Sequence, residues 1–325
     1  MANDFAQVAE EVYQTAHESA ATFQDSMEVL ATPIVEEIGT INQGELFGLT
    51  TYSQKTAVGR PSAKDLDSAT TSTSMAAYEE LLTIQRSDWE YDVRGVQEQV
   101  RELVQMGYLT LVQAFWGAIA ALDSTTHPYN SESWLTAQGG GDVYYCDAVS
   151  IDPVGAVASF NQQNVYTTAL SDSAVSASLA AHRQYRNWSG NPWVTQGKPF
   201  LVYNPALAST AEDMINRQNE LSAGNNSGTP VTLTPTGSRL AGGVPIGGLT
   251  SYSAVDWYLI WVQEQKQYNA DGSVNTFRTC PIQPWIRTLP EVTVEKVGND
   301  MYVTAFMEYA IHYGARSFDV IMHNV

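Results

Sequence analysis

Three features of the sequence predict an α+β fold. Residues 87 to 122 form a proline-free run with apolar residues at helical spacing. Glu291 to Val297 alternates polar and apolar, and the residues from Met301 to Tyr313 form a partner long enough to cross a whole lobe. The third feature is that from residue 230 on the pattern is mostly β, after a first part with several helical patterns.

In order along the chain, residues 3 to 30 carry Phe5, Val8, Val12, Phe23, Met27 and Leu30 with acids between them, which predicts a first helical element preceding the body as an arm. From Ile41 to Arg86 the text becomes alternating and polar, then a Ser/Thr/Asp tract from Asp67 to Ser74, predicting an extended loop or hairpin that orders only when a neighbour covers it. Ser87 and Glu90 stand as Ser-x-x-Glu, so a capping box is expected to start the long helix. Val96, Val100, Leu103, Leu111, Phe115, Ile119 and Leu122 then mark its buried stripe, and one helix over 87 to 122 would span roughly 50 Å.

After it, Gly139 to Gly141 reads as a hinge and Val143 to Cys146 as a short strand. Residues 171 to 186 form a helix opened by Ser171 or Asp172, with Val175, Leu179 and His182 on one face. Phe200 to Tyr203 is a strand, and Ser209 with Glu212 suggests a second capping box. Ala223 to Gly228 reads as an exposed turn. Val231 to Leu233 and Trp257 to Val262 follow as strands, then a hairpin around Gly298 to Asp300.

Bulk properties restrict function. The chain of 325 residues is 44% hydrophobic and carries net charge −19 from 35 acids and 16 bases, which disfavours nonspecific DNA binding. Residues 1 to 92 hold 16 acids and 4 bases, net −12, against 19 and 12, net −7, in the rest. Cys146 and Cys280 are too few and too far apart for a disulfide framework or a zinc set. The N-terminus lacks the pattern of a secretory signal, so a cytoplasmic origin is expected. Residues 103 to 122 are uncharged, but Gln105, Gln113, three helix glycines (Gly95, Gly107 and Gly117) and missing basic flanks favour burial against protein over a membrane span.

Chemistry is sparse. His17, His127, His182, His312 and His323 show no metal-ligand spacing, and His182 reads as a hydrogen-bonded core residue. No nucleotide loop, nucleophile elbow or activated Cys appears, so no catalytic residue, cofactor or metal is assigned. Glu36-Glu37 and Glu79-Glu80 read as solvated acids. Trp188 and Trp193 are the best candidates for carbohydrate stacking, with packing the preferred role.

In this order the segments resemble the major capsid proteins of tailed bacteriophages, the Hong Kong-97-type fold. Ser87 to Asp92 looks like the start of that family's spine helix. Phe160-Asn161 through Leu170-Ser171, then Lys198 to Pro205 and Ala211, is similar to the Mu-type head-subunit branch, as is Ala254 to Leu259, and Phe306 to Phe318 is similar to the closing strand of the family's peripheral lobe and the turn after it. The resemblance spans nearly the whole chain and rests on order and spacing.

It implies an N-arm at 1–40, an E-loop at 41–86, the spine helix and first part of the peripheral domain at 87–145, an axial domain at 146–275 and the returning peripheral domain at 276–325. It implies no enzyme but a subunit that assembles as hexamers and pentamers in a virion shell built in the host cytoplasm. That shell would enclose double-stranded DNA without reading its sequence, with scaffold, portal and decoration proteins as partners and no membrane. Lys55, Arg60 and Lys64, three of only four cations in the acidic third, are the candidate intersubunit contacts. Covalent crosslinking is not expected, since no Asn context matches a loop lysine. The competing readings are an acidic glycan-active hydrolase with facing carboxylates, and a surface-layer or tail-tube subunit.

Overall fold

The computed structural model describes residues 4–20, 26–47, 67–122, 164–185, 193–195, 197–222, 240–247, 256–268, 274–314 and 317–323. Helix α1 (Phe5–Ala20) is followed by a 3-10 turn at Ser26–Val29. Then come β1 (Ile34–Val35), β2 (Thr40–Phe47), β3 (Asp67–Ser74), β4 (Ala76–Ile84), α2 (Arg86–Tyr91) and α3 (Val93–Ala120). The chain continues with β5 (Val165–Tyr166), α4 (Asp172–His182), β6 (Lys198–Tyr203), α5 (Ala208–Ser222) and β7 (Gly242–Pro245). It ends with β8 (Trp257–Tyr268), β9 (Val274–Thr279), β10 (Ile282–Val297), β11 (Asp300–Tyr313) and β12 (Val320–His323).

The expected α+β layout is resolved into two main sheets. One has strand order β1-β10-β11-β4; the other runs β5-β12-β8-β6-β7, with β9 paired to the far half of β8. The expected hairpin at Gly298 joins β10 to β11, Gly298 taking a φ of 65° that a side chain would oppose. Its ladder slips between Ile286 and Glu291, where Pro290, which has no N–H to donate, sits in the irregularity.

The long helix departs from the single rod expected. Asp92 breaks it: its backbone leaves the helical region, and its side chain accepts the Gly95 N–H at 3.0 Å, capping α3. Ser87 and Glu90 form no capping box. Glu90 instead takes Arg86 Nε at 2.6 Å, Ser87 Oγ bonds Asp88, and Gln85 caps α2 without a side-chain bond. With 28 residues α3 spans about 42 Å. All seven stripe residues are buried, joined by Val104, Val112, Trp116 and Ala118.

Helix α3 takes part in two cores. Its first half, with Val8, Val12 and Ala16 of α1, packs on Val292, Met301, Val303 and Ala305 of the four-stranded sheet. The arm expected at the N-terminus is thus docked along the spine, because α1 has an apolar face of its own to cover. The second half of α3, from Leu111 to Ile119, packs with Val202, Tyr258, Ile260 and Val262 of the six-stranded sheet, and also with Ile282, Ile286 and Met307 of the other. The opposite face of the six-stranded sheet is covered by Ala174, Val175 and Leu179 of α4 and Ala211 and Met214 of α5.

Ser171 caps α4 by accepting the Ala174 N–H (3.2 Å), as its sequence suggested. The second capping box is absent: a 3-10 turn at Pro205–Leu207, capped by Asn204 on the Ala206 N–H (2.9 Å), leads straight into α5. The readings at 139–141, 143–146, 223–228 and 231–233 lie outside the described residues.

Candidate assembly surface

Strands β2 and β3 pair from Thr40↔Ser74 to Phe47↔Asp67, a ribbon of eight residues per strand that joins neither large sheet. At about 3.4 Å per residue it is roughly 27 Å long. Its base is clasped by Ile41, Trp285 and Ala310, with Ile34, Ile38 and Met75 against them, by the Met75 N–H on the Gly39 carbonyl (3.1 Å), and by Thr73 Oγ1 at 2.8 Å from His312 Nδ1. One residue after β3 the chain turns into β4, which pairs with β11 from Ala76↔Tyr309 to Ile84↔Met301.

The far edge of β4 carries no neighbouring strand among the described residues, and every residue from Ala76 to Leu81 is exposed. Beneath it lies an open groove of about 490 Å³ between β4 and α3, floored by Ala305, Met307 and Pro290 and walled by Leu103, Met106 and Thr110. Tyr78 closes one side, stacked on Tyr309 at 4.3 Å between ring centroids. Glu79 and Glu80, read from sequence as solvated acids, are exposed and line this groove, giving a largely apolar channel an acidic rim. In the register of the sheet Glu291 and Glu79 stand on either side of Phe306 across three strands. Lys55, Arg60 and Lys64 belong to the 48–66 segment that links β2 to β3, outside the described residues. Tyr78, Leu81 and Met106 were not singled out from sequence; the signal available was a strand with apolar residues on both faces, beside a carboxylate pair.

The remaining candidates for chemistry are structural. His182 is buried, stacks on Trp261 at 3.7 Å and lies 3.4 Å from Asp319, the core role its position suggested. Trp193 packs on Phe318 and donates to Asp319 at 2.7 Å, so it is a packing residue; Trp188 lies outside the described residues. His323 stacks on Trp257 at 3.7 Å, and its Nε2 is 2.8 Å from Ser178 Oγ. Burial pushes its ring down to about 4, partly offset by the Thr168 backbone. Among the described residues no carboxylate bonds the other nitrogen of this ring, and both residues of the Ser–His pair are buried, unlike an accessible nucleophile. Cys280 gives its thiol hydrogen to the Ile282 carbonyl (2.7 Å), and burial raises its pKa to about 12. Among the described residues no group of three or more His, Cys, Asp or Glu is placed to hold a metal.

No family model and no curated protein matches the chain. Among solved structures it is similar to a subunit of the procapsid of bacteriophage JBD30, with TM-score 0.45 and 12% identity over 98% of this chain and 74% of that chain. It is similar also to the virus-like particle from Pyrococcus furiosus, with TM-score 0.44 and 9% identity over 97% and 98%. The capsid of cyanophage Pam1 gives TM-score 0.48 and 12% identity over 88% and 84%.

Proposed function

We propose that this chain is a major capsid protein of the Hong Kong-97 type that assembles with copies of itself into the head shell of a tailed bacteriophage, on the Mu-type branch. The observation that supports it best is mechanical: one helix serves the cores of both large sheets, while a two-stranded ribbon joins neither of them. A shell subunit needs such a rigid body and such an arm. The order of sequence motifs, taken above from the first helix to the closing strand, supports the same reading.

On this reading the N-arm is 1–40, the E-loop 41–86, the spine and first peripheral part 87–145, the axial domain 146–275 and the returning peripheral domain 276–325. The E-loop then consists of the β2–β3 ribbon plus β4, its return into the peripheral sheet, and β12 closes the axial sheet from the end of the returning segment. Particles would contain hexamers and pentamers, take in double-stranded DNA without binding its sequence, and draw on scaffold, portal and decoration proteins. Interfaces of about 1,600 Å², several per subunit, act in concert and make the lattice firmer than any one contact.

Electron microscopy of the expressed protein tests this. Closed shells are expected; sheets, open tubes or monodisperse monomers would overturn it. Identical subunits of charge −19 repel one another, so shell yield should rise with salt from 20 to 500 mM as screening shortens the range of repulsion. Equal yield across that range would remove the electrostatic part of the proposal.

Lys55, Arg60 and Lys64 are assigned to the acidic groove rim of a neighbouring copy. They belong to the stretch of sequence that links the two strands after the ribbon's last pair, Phe47↔Asp67. Glu80 lies 13 residues farther along the strand run, about 43 Å if extended, whereas half of the 19-residue link reaches about 30 Å. Reversing all three cations to Glu should lower particle yield at least tenfold, and adding Glu79→Lys with Glu80→Lys should restore part of it. Unchanged yield would remove the assignment.

A further inference from the structure

The four-stranded sheet has a second edge, opposite β4, and a single hydroxyl is set on it. Strand β1 pairs with β10 only at Trp285 and Ile286, so from Glu291 to Val297 no described strand lies along the side of β10 away from β11. The turn at Gly298 and Asn299 closes on the pair Val297↔Asp300, and the register runs unbroken from there back to Glu291. In a two-residue hairpin the closing pair is hydrogen-bonded, and bonded pairs then alternate along the ladder. The N–H and C=O groups of Val292, Val294 and Lys296 therefore point outward, away from β11.

One of these groups is already in use. The Val294 N–H is given to the Tyr13 hydroxyl at 3.2 Å. Helix α1 is docked through Val8, Val12 and Ala16, which belong to the core shared with α3, whereas Tyr13 is 46% exposed. A half-exposed ring changes rotamer in nanoseconds or less, so the hydroxyl can leave the edge while the helix stays in place.

The surroundings decide what fits the edge in its stead. Glu291, Thr293 and Glu295 are exposed along this stretch, as are Glu10 and Glu18 on α1. Lys296 is the one cation between 291 and 297, and its ammonium lies over the rings of Trp89 (5.1 Å) and Phe5 (5.6 Å). The edge is thus acidic. The β4 edge of a second copy would bring Glu79 and Glu80 against it, and like charges across a strand pair repel. An extended segment with Lys or Arg at alternate positions meets both needs, its main chain continuing the ladder and its cations answering the acids.

We propose that the outer edge of β10, from Val292 to Lys296, is a strand-docking site for a basic extended segment of a partner protein, with Tyr13 as its gate. The proposal stands on the geometry of the sheet and not on the shell reading. The incoming strand takes over the Val294 N–H from Tyr13, adds main-chain bonds at Val292 and Lys296, and sets its cations beside Glu291 and Glu295. Because the gate is one side chain on a docked helix, opening it leaves the cores closed.

Fluorescence anisotropy of a labelled octapeptide, Lys-Val-Lys-Thr-Lys-Val-Lys-Thr, titrated with the unassembled full-length chain in 150 mM salt, tests this. The wild type should bind it, with amide-exchange protection gained at 292, 294 and 296. Tyr13→Phe, which keeps the ring and removes the hydroxyl, should bind about twofold to tenfold tighter, the worth of one hydrogen bond no longer surrendered. Glu291→Lys with Glu295→Lys should weaken binding at least tenfold, whereas Glu79→Lys with Glu80→Lys on the opposite edge should leave it within twofold. N-methylating the peptide at alternate residues removes main-chain donors without changing its charge, and should abolish binding.

No binding to either the wild type or Tyr13→Phe would overturn the proposal. Binding that survives N-methylation would overturn it too, as plain charge attraction. Equal affinity of the wild type and Tyr13→Phe would remove the gate. Protection of 292–296 that rises with protein concentration in the absence of peptide would overturn the choice of partner and assign the edge to a second copy.

Discussion

Phe115→Ala is expected to lower the unfolding free energy of the subunit by about 3–5 kcal/mol, the cost of deleting a fully buried aromatic side chain and leaving a cavity. Phe115 is 0% exposed, edge-on to Trp116 at 5.2 Å, within the cluster where α3 meets strands of both sheets. Few positions are worse placed to collapse around a void, because the surrounding residues belong to separate sheets whose positions the helix itself fixes. Met106→Ala on the same helix, at a position 58% exposed, should cost under about 0.5 kcal/mol. Denaturant unfolding of the unassembled subunit measures both. A shift below 1 kcal/mol for Phe115→Ala would mean that the shared core is not what fixes the body.

The second large effect is acid lability of the six-stranded lobe. His323 is buried between Trp257 and Ser178, and its pKa is pushed down to about 4 by loss of solvent. In the unfolded chain the same ring titrates near 6.5. Above pH 6.5 both states leave it neutral and the stability is fully present. As pH falls from 6.5 through 4 the unfolded state gains the proton first, and up to about 3 kcal/mol is lost. Stability measured against pH in the wild type and in His323→Gln separates this ring from every other titrating group: the difference between the two curves should narrow steadily across that window. A constant difference would show that His323 does not sense the acid.

How far the sequence carried the fold can be judged from particular residues. The stripe from Val96 to Leu122 was legible because a helix buried on one side must repeat its apolar residues every three to four positions. The strand at Trp257 and the hairpin at Gly298 were legible for the same kind of reason. The break at Asp92 was not. Two local caps competed there, Ser87 with Glu90 and Asp92 with Gly95, and the choice fell to tertiary contact: Trp89 Nε1 donates to the Asn299 carbonyl (3.1 Å), turning α2 against the tip of the β10–β11 hairpin. A pairing across 210 residues leaves no mark on local periodicity.

The same limit applies to the surface. Val8 and Val12 announced an apolar face on α1 but not that α3 would cover it. Glu79 and Glu80 were visible as acids, yet their place on the rim of a groove depends on α3 covering the strands beside β4 and stopping short of β4's own inner face. His312 offered no motif at all. Its hydrogen bond to Thr73 forms only where β3 and β11 come together, on residues 239 positions apart.

Since Leu111, Phe115 and Ile119 are packed at once with strands from either sheet, turning one sheet against the other would prise open a fully buried interior. A polyhedron tiled by such pieces must bend at its seams. If the chain forms the proposed shell, differences in angle between five-fold and six-fold neighbourhoods would fall on the slender ribbon, whose small anchorage would make it the compliant gasket between stiff tiles.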